Sequence, residues 1–194
     1  TDKFSMQVSA NFVTDKNKLP PTNLVYDAYS LPPNAPSLFT ENGDLNWEEG
    51  TFTNPLAHLN GDYQSKTNTL IGNAVISYRP FKGLEAKANV GYTKNEVEEY
   101  KTSPHTIYNP DFGLDSSFSS IFLNNGNRRS YIVEPQLAYN FKIGKGRVEV
   151  LAGGTVQHEL AAKEVQFASG FANNNLIENV AAASNIAIVS DTEE

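Results

Sequence analysis

Asp44, Asn46 and Glu48 alternate around Trp47, the only tryptophan of the chain, and no other stretch concentrates as much side-chain chemistry. Oxygen-bearing side chains at every second position open a calcium loop, but that loop needs glycine at its sixth position and a bidentate acid at its twelfth. Counted from Asp44, those positions hold Glu49 and Pro55, so the pattern starts without finishing. A second chemistry suits the same residues. A flat aromatic ring beside hydrogen-bonding groups can stack a sugar and fix its orientation. Asp44, Asn46, Trp47 and Glu48 are therefore the candidate ligand- or partner-contacting residues. The plainer alternative is that Trp47 packs its own loop against its surroundings.

Catalysis finds little support. His58, His105 and His158 are far apart, with no His-x-x-x-His pair, and no Gly-x-Ser-x-Gly nucleophile turn occurs. Glu96, Glu98 and Glu99 read most simply as a solvated strand end, and Arg128-Arg129 as a loop–strand junction. Asn42-Gly43, Asn60-Gly61 and Asn125-Gly126 read as turns. No enzyme, metal or cofactor is expected. Among the 194 residues, 15 Lys+Arg face 22 Asp+Glu, and a net charge of −7 argues against nucleic acid, whose phosphates need a basic surface. Without cysteine there is neither a disulfide framework nor a thiolate zinc site. No apolar run approaches the ~18 residues of a membrane helix, which leaves membrane β-strands open.

The elements that must position the Trp47 loop are written in a period of two. Phe4, Met6, Val8, Ala10 and Phe12 occupy one phase; Lys3, Ser5, Gln7, Ser9 and Asn11 occupy the other. Successive strand side chains point to opposite faces, so this is a ribbon with one apolar side. Four more ribbons follow the rule, though Ile71, Val75 and Leu151 fall on the polar side. Their apolar phases are Leu70 to Tyr78, Leu84 to Tyr92, Tyr131 to Phe141 and Val148 to Val156. The five strands are expected at about 3–13, 68–80, 83–97, 129–142 and 146–160. Pro135 lacks a ladder donor, so a local irregularity is expected there.

Tight turns at Phe81-Lys82-Gly83 and Ile143 to Gly146 alternate with long loops at about 14–67, 98–128 and 161–194. An up-and-down antiparallel meander then puts all short turns at one end and all long loops at the other. Membrane barrels have this asymmetry, whereas compact soluble domains rarely carry such loops. Apolar-face aromatics gather near strand ends. Phe4 and Phe12, or Tyr131 and Tyr139, are eight residues apart; at ~3.3 Å per residue and ~40° of tilt that is roughly 20 Å, near the ~25 Å apolar band of a barrel. Short helices are expected within Thr22–Leu31, ahead of Pro32-Pro33, and at Asn54 to Leu59. The expected class is all-β: part of a large transmembrane β-barrel with long extracellular loops carrying short helices. Five antiparallel strands cannot close a barrel, whose smallest outer-membrane examples have about eight, and neither terminus looks natural. The whole of 1–194 is thus expected to be a partial barrel domain.

Leu31-Pro32-Pro33-Asn34-Ala35-Pro36-Ser37-Leu38-Phe39, then Asn42-Gly43-Asp44-Leu45-Asn46-Trp47 and Asn54-Pro55-Leu56-Ala57, resemble the barrel of SusC/RagA-type TonB-dependent outer-membrane transporters. Thr67 to Asn73, Lys82-Gly83-Leu84, Gly91-Tyr92, Glu134 with Leu137-Ala138-Tyr139, Ala152-Gly153-Gly154 and Ala168-Ser169-Gly170-Phe171 follow in the order of that family. The resemblance covers about Phe4 to Leu176. It implies a fragment of a Gram-negative outer-membrane importer of glycans or peptides, capped by a SusD-like surface lipoprotein and energised through TonB. The plug and TonB-contacting segments of that family are not seen in these residues, which would supply wall and extracellular loops in contact with outer-membrane lipid. Two alternatives remain open: a soluble β-sandwich acting as a carbohydrate-binding module, and a non-transporting outer-membrane barrel such as an adhesin or surface enzyme.

Overall fold

The computed structural model describes residues 3–193. Among these residues the chain builds a single antiparallel sheet of seven strands: β1 (Phe4–Leu19), β2 (Tyr63–Tyr78), β3 (Leu84–Ser103), β4 (Ser120–Ile143), β5 (Gly146–Gly153), β6 (Val156–Ser169) and β7 (Asn185–Glu193). The order is β1-β2-β3-β4-β6-β7, with β5 also paired to β4. The fold is an open meander; β1 forms one edge, β5 and β7 the other, and among the described residues no second sheet packs on either face. One short helix, α1 (Val25–Ser30), lies in the first loop and stops at Leu31, ahead of Pro32-Pro33. Among the described residues no helix is long and apolar enough to cross a membrane.

Five strands are expected from the sequence and seven form. The expected fifth strand is divided into β5 and β6, yet both keep one register on β4: Gln136 faces Gly153, and Val133 faces Val156. Pro135 is the cause. The Gly154 N–H donates to the Pro135 carbonyl at 3.1 Å, but proline has no N–H to return the bond. The ladder lapses for two pairs, Gly154 opposite Pro135 and Thr155 opposite Glu134, and resumes, so β5 and β6 are one ribbon interrupted opposite a proline.

β7 falls in the stretch expected to be a loop. Its signal is short: Ile186 and Ile188 alternate, and then a register shift between Val165 and Gln166 leaves Val189 as an extra residue. The alternation is broken where a longer run would have revealed it. The other strands exceed their expected ends by several residues, because Lys16, Asn17 and Lys18, or Asn124 to Asn127, still pair through backbone groups without an apolar phase. For the same reason Asn125-Gly126 is no turn and Arg128-Arg129 no junction; both lie inside β4, paired on each side.

The register through β1–β4 contains no shift, so each face can be followed residue by residue. The apolar face carries rows such as Met6–Ile76–Ala88–Pro135 and Val8–Ala74–Val90–Val133. Nothing covers it: Met6 is 57% exposed, Val8 64% and Val150 53%. Rings mark both its borders. At the short-turn end Tyr139 stacks on Phe141 at 5.1 Å and meets Phe81 edge-on at 6.4 Å; at the other, Tyr131 lies 5.2 Å from the His158 ring. The row of Phe4 reaches β4 at Leu137, whereas the β4 rim rings are Tyr139 and Phe141. The row of Phe12 reaches β4 at Arg129, whereas the rim ring is Tyr131. Both borders are displaced in the same sense, by two to four residues over three strand spacings. At ~3.3 Å per residue and ~4.8 Å per strand, the strands cross the band at about 25–43° from its normal.

The opposite face is mainly polar, with Ile71, Val75, Ile132 and Leu151 interspersed, and is hydrogen-bonded across strands. Ser5 meets Ser77 at 2.7 Å, Asn73 donates to Asn89 at 2.9 Å, Asn89 to Glu134 at 2.8 Å and Asn95 to Thr69 at 2.8 Å. The buried apolar side chains lie instead among the loops. Phe171 and Ile177 of the β6–β7 loop pack on Ile121 of β4 and Ala168 of β6, with Tyr100 and Leu123 beside them.

Candidate functional site

Three loops at one end of the sheet are tied to one another. Asn60 of the β1–β2 loop donates to the Thr106 carbonyl in the β3–β4 loop at 3.0 Å. Ser116 of that second loop donates to the Ala172 carbonyl in the β6–β7 loop at 2.8 Å. Ser119, fully buried, joins the same pair: its Oγ accepts from the His105 N–H and donates to Asn174 Oδ1, both at 2.8 Å. His105 Nδ1 lies 3.1 Å from the same Asn174 oxygen. An oxygen at that distance is placed to accept from a proton on Nδ1.

Between the first two loops lies a cleft of about 590 Å³ lined by Asp44, Trp47, Asn60, His105, Tyr108 and Asn109, among others. Small-ligand sites span about 300–1,000 Å³. The Trp47 wall is built locally. Leu38 to Asn46 fold into a small hairpin through the Phe39–Leu45 bridge, turning at Asn42-Gly43 with Gly43 at φ +86°. Asn54, wholly buried, donates to the carbonyls of Leu38 (2.6 Å) and Asn46 (3.0 Å) and caps the 3-10 turn Pro55–Asn60 by accepting from the Leu56 N–H. Beyond Trp47 the backbone takes positive φ three times running, at Glu48 (45°), Glu49 (53°) and Gly50 (85°). Two consecutive non-glycine residues there store strain. That bend presses Gly50 toward Asn109, so closely that a β-carbon at Gly50 would sit 3.3 Å from Asn109 Nδ2.

The four residues singled out from the sequence divide. Asp44 and Trp47 line the cleft. Asn46 and Glu48 brace the loop: Asn46 Nδ2 donates to the Ser37 carbonyl at 2.9 Å and to Glu48 Oε2 at 3.2 Å, while its Oδ1 accepts from the Glu48 N–H. Among the described residues no three His, Asp or Glu side chains gather where they could hold a metal. The remaining lining groups, His105, Tyr108 and Asn109, come from the second loop, whose approach to Trp47 follows from strand order and from no motif. Asn109 is the most pointed of them. It is 5% exposed, its Oδ1 accepts from the Asp111 N–H at 3.0 Å, and its Nδ2 has no hydrogen-bond partner among the described residues. A buried unpaired amide donor costs about 1–3 kcal/mol, and this one is turned toward Gly50.

Asp115 caps the 3-10 turn Ser116–Phe118, accepting from the Ser117 hydroxyl and from its N–H at 2.9 Å. These two bonds, with a smaller contribution from His105, hold its carboxyl below the ordinary carboxylate range. A lowered folded-state pKa stabilises the cap above the unfolded value of about 3.9, and the gain is lost as pH falls through the folded value. Hydrogen-exchange protection at Ser117 is therefore expected to fall below about pH 4, and to become independent of pH in Asp115→Asn. An unchanged profile in that variant would remove the cap from the account.

The sequence matches no protein-family model and no curated protein.

Proposed function

We propose that this chain is part of the wall and outer loops of a β-barrel in a Gram-negative outer membrane, of the SusC/RagA-type TonB-dependent importer class, admitting glycans or peptides. The observation that carries the reading is the uncovered apolar band, bordered by rings and crossed obliquely by the strands. Monomeric soluble proteins rarely expose contiguous apolar patches above a few hundred Å². A band about eight residues tall on ribbon after ribbon comes near the ~25 Å apolar band of a membrane barrel, and its slant overlaps the ~35–45° tilt of barrel strands. The polar, cross-linked reverse face suits an aqueous bore. Open edges at β1, β5 and β7 are costly in hydrocarbon, so further strands close the barrel.

In this reading the loop end faces outward and the cleft beside Trp47 meets the nutrient. Trp47 and Tyr108 supply ring surfaces, and Asp44 a hydrogen-bonding carboxylate. A SusD-like surface lipoprotein covers the loops, and TonB acts through parts of the protein outside these strands. Topology is testable because the sequence contains no cysteine. A cysteine at Asn42 in the outer loop should react with an impermeant maleimide on intact cells, and one at Lys145 in the short turn only after lysis. Disruption of the gene should abolish uptake of one class in a panel of labelled glycans and oligopeptides, and Trp47→Ala should reduce it. Equal labelling at both sites, or uptake unaffected by disruption, would contradict the proposal.

A further inference from the structure

Above the ring border that faces the long loops, the first charged residue on the apolar-side face is a cation on four successive strands: Lys16 on β1, Lys66 on β2, Lys94 on β3 and Arg129 on β4. On β6 it is an acid, Glu164, so the row has a limit. The pattern is notable in a chain of net charge −7. The register also sets these cations against each other. Lys16 stands directly opposite Lys66, and Lys94 directly opposite Arg129. Like charges directly across a ladder destabilise it. Local carboxylates compensate only in part. Lys94 pairs with Glu96 at 2.6 Å and Lys66 reaches Glu98 at 3.5 Å, longer than a charge-assisted bond, while Lys16 and Arg129 have no ion pair among the described residues. Lys16, Lys18, Lys66 and Tyr100 line a groove of about 280 Å³ there, in which Glu98 is the one carboxylate against three lysines.

We propose that this row binds the phosphate groups of a phosphorylated outer-leaflet glycolipid. The inference rests on the membrane reading above and goes beyond it. One anion lying between two cations turns their repulsion into attraction, and the groove opens just above the apolar band. A single molecule can therefore place its phosphates on the lysines and its acyl chains on Met6, Val8 and their neighbours. Free phosphate would use only the first half of that surface.

The test uses the full-length protein in nanodiscs of zwitterionic phospholipid containing diphosphoryl lipid A, its dephosphorylated form, or neither with inorganic phosphate added. The parent should retain the diphosphoryl form through washing, and each cation removed should lower retention by about fivefold. Retention is read by mass spectrometry on Lys16→Gln/Lys66→Gln and on the variant that adds Lys94→Gln and Arg129→Gln. Retention of the dephosphorylated form should be the same in all. Without phosphorylated lipid, Lys16→Gln/Lys66→Gln should melt no lower than the parent, since a repulsive pair is gone; this guards against loss through misfolding. Equal retention of diphosphoryl lipid A by parent and variants overturns the proposal and leaves the barrel intact. So does full stabilisation by inorganic phosphate alone. A protein that never enters the nanodisc overturns the barrel reading and this proposal with it.

Discussion

Val8→Arg is expected to cost about 2–4 kcal/mol of stability in a bilayer and to block membrane assembly of the protein, because a guanidinium near the midplane of the apolar band has neither water nor a partner. Val8 lies midway between Phe4 and Phe12, with Ala74 opposite it and no second layer over it. The matched control is Gln7→Arg, one residue away on the polar face, where the same charge meets the cross-linked wall and should change stability by less than about 1 kcal/mol. The pair discriminates by sign. If the apolar face were wetted by water, Val8→Arg at a side chain 64% exposed would be neutral or would aid solubility. Urea unfolding of both variants in lipid vesicles reads the difference.

Phe171→Ala is expected to cost about 3–5 kcal/mol, the usual range for deleting a fully buried ring. Phe171 is 1% exposed and, with Ile177, joins the β6–β7 loop to Ile121 and Ala168. Its loss should loosen the third loop first. Ser116 and Ser119 would then lose Ala172 and Asn174, the partners that hold the β3–β4 loop, and Tyr108 and Asn109 would no longer face Trp47 in a fixed geometry. Limited proteolysis should cut within 170–184 and 104–119 while the sheet resists. Uniform sensitivity of loops and strands would show that the loop core and the sheet are a single cooperative unit.

What was legible in the sequence follows from the physics of each part. A strand with one face in an apolar medium must alternate, so Phe4 to Phe12 and Leu84 to Tyr92 declare themselves. Pro135 announces a fault because it lacks a donor, and the fault appears in the partner ribbon as the gap between β5 and β6. Above the ring border the ladders continue through Lys, Asn and Glu residues with no apolar phase. Backbone pairing holds those segments together with polar side-chain contacts such as Lys66–Glu98 and Tyr63–Glu99, and neither imposes an apolar alternation. β7 was hidden by its bulge at Val189.

The candidate site was half legible. Trp47 and Asp44 stand out by composition, but Asn46 and Glu48, chosen on the same pattern, spend their hydrogen bonds on the loop itself. Asn109 carries no local signal. Only the meander, which brings the β1–β2 and β3–β4 loops side by side, gives its amide a place in the cleft.

Everything functional depends on which medium touches the ribbons. With no native cysteine to interfere, single cysteines at positions 4 to 12 of β1 can each carry a spin label in protein reconstituted into vesicles. Collision rates with dissolved oxygen and with a water-soluble nickel chelate report the surroundings of each label. The account predicts a period of two: oxygen favoured at Phe4, Met6, Val8, Ala10 and Phe12, nickel favoured at Ser5, Gln7, Ser9 and Asn11. Equal access of nickel to both sets would contradict it.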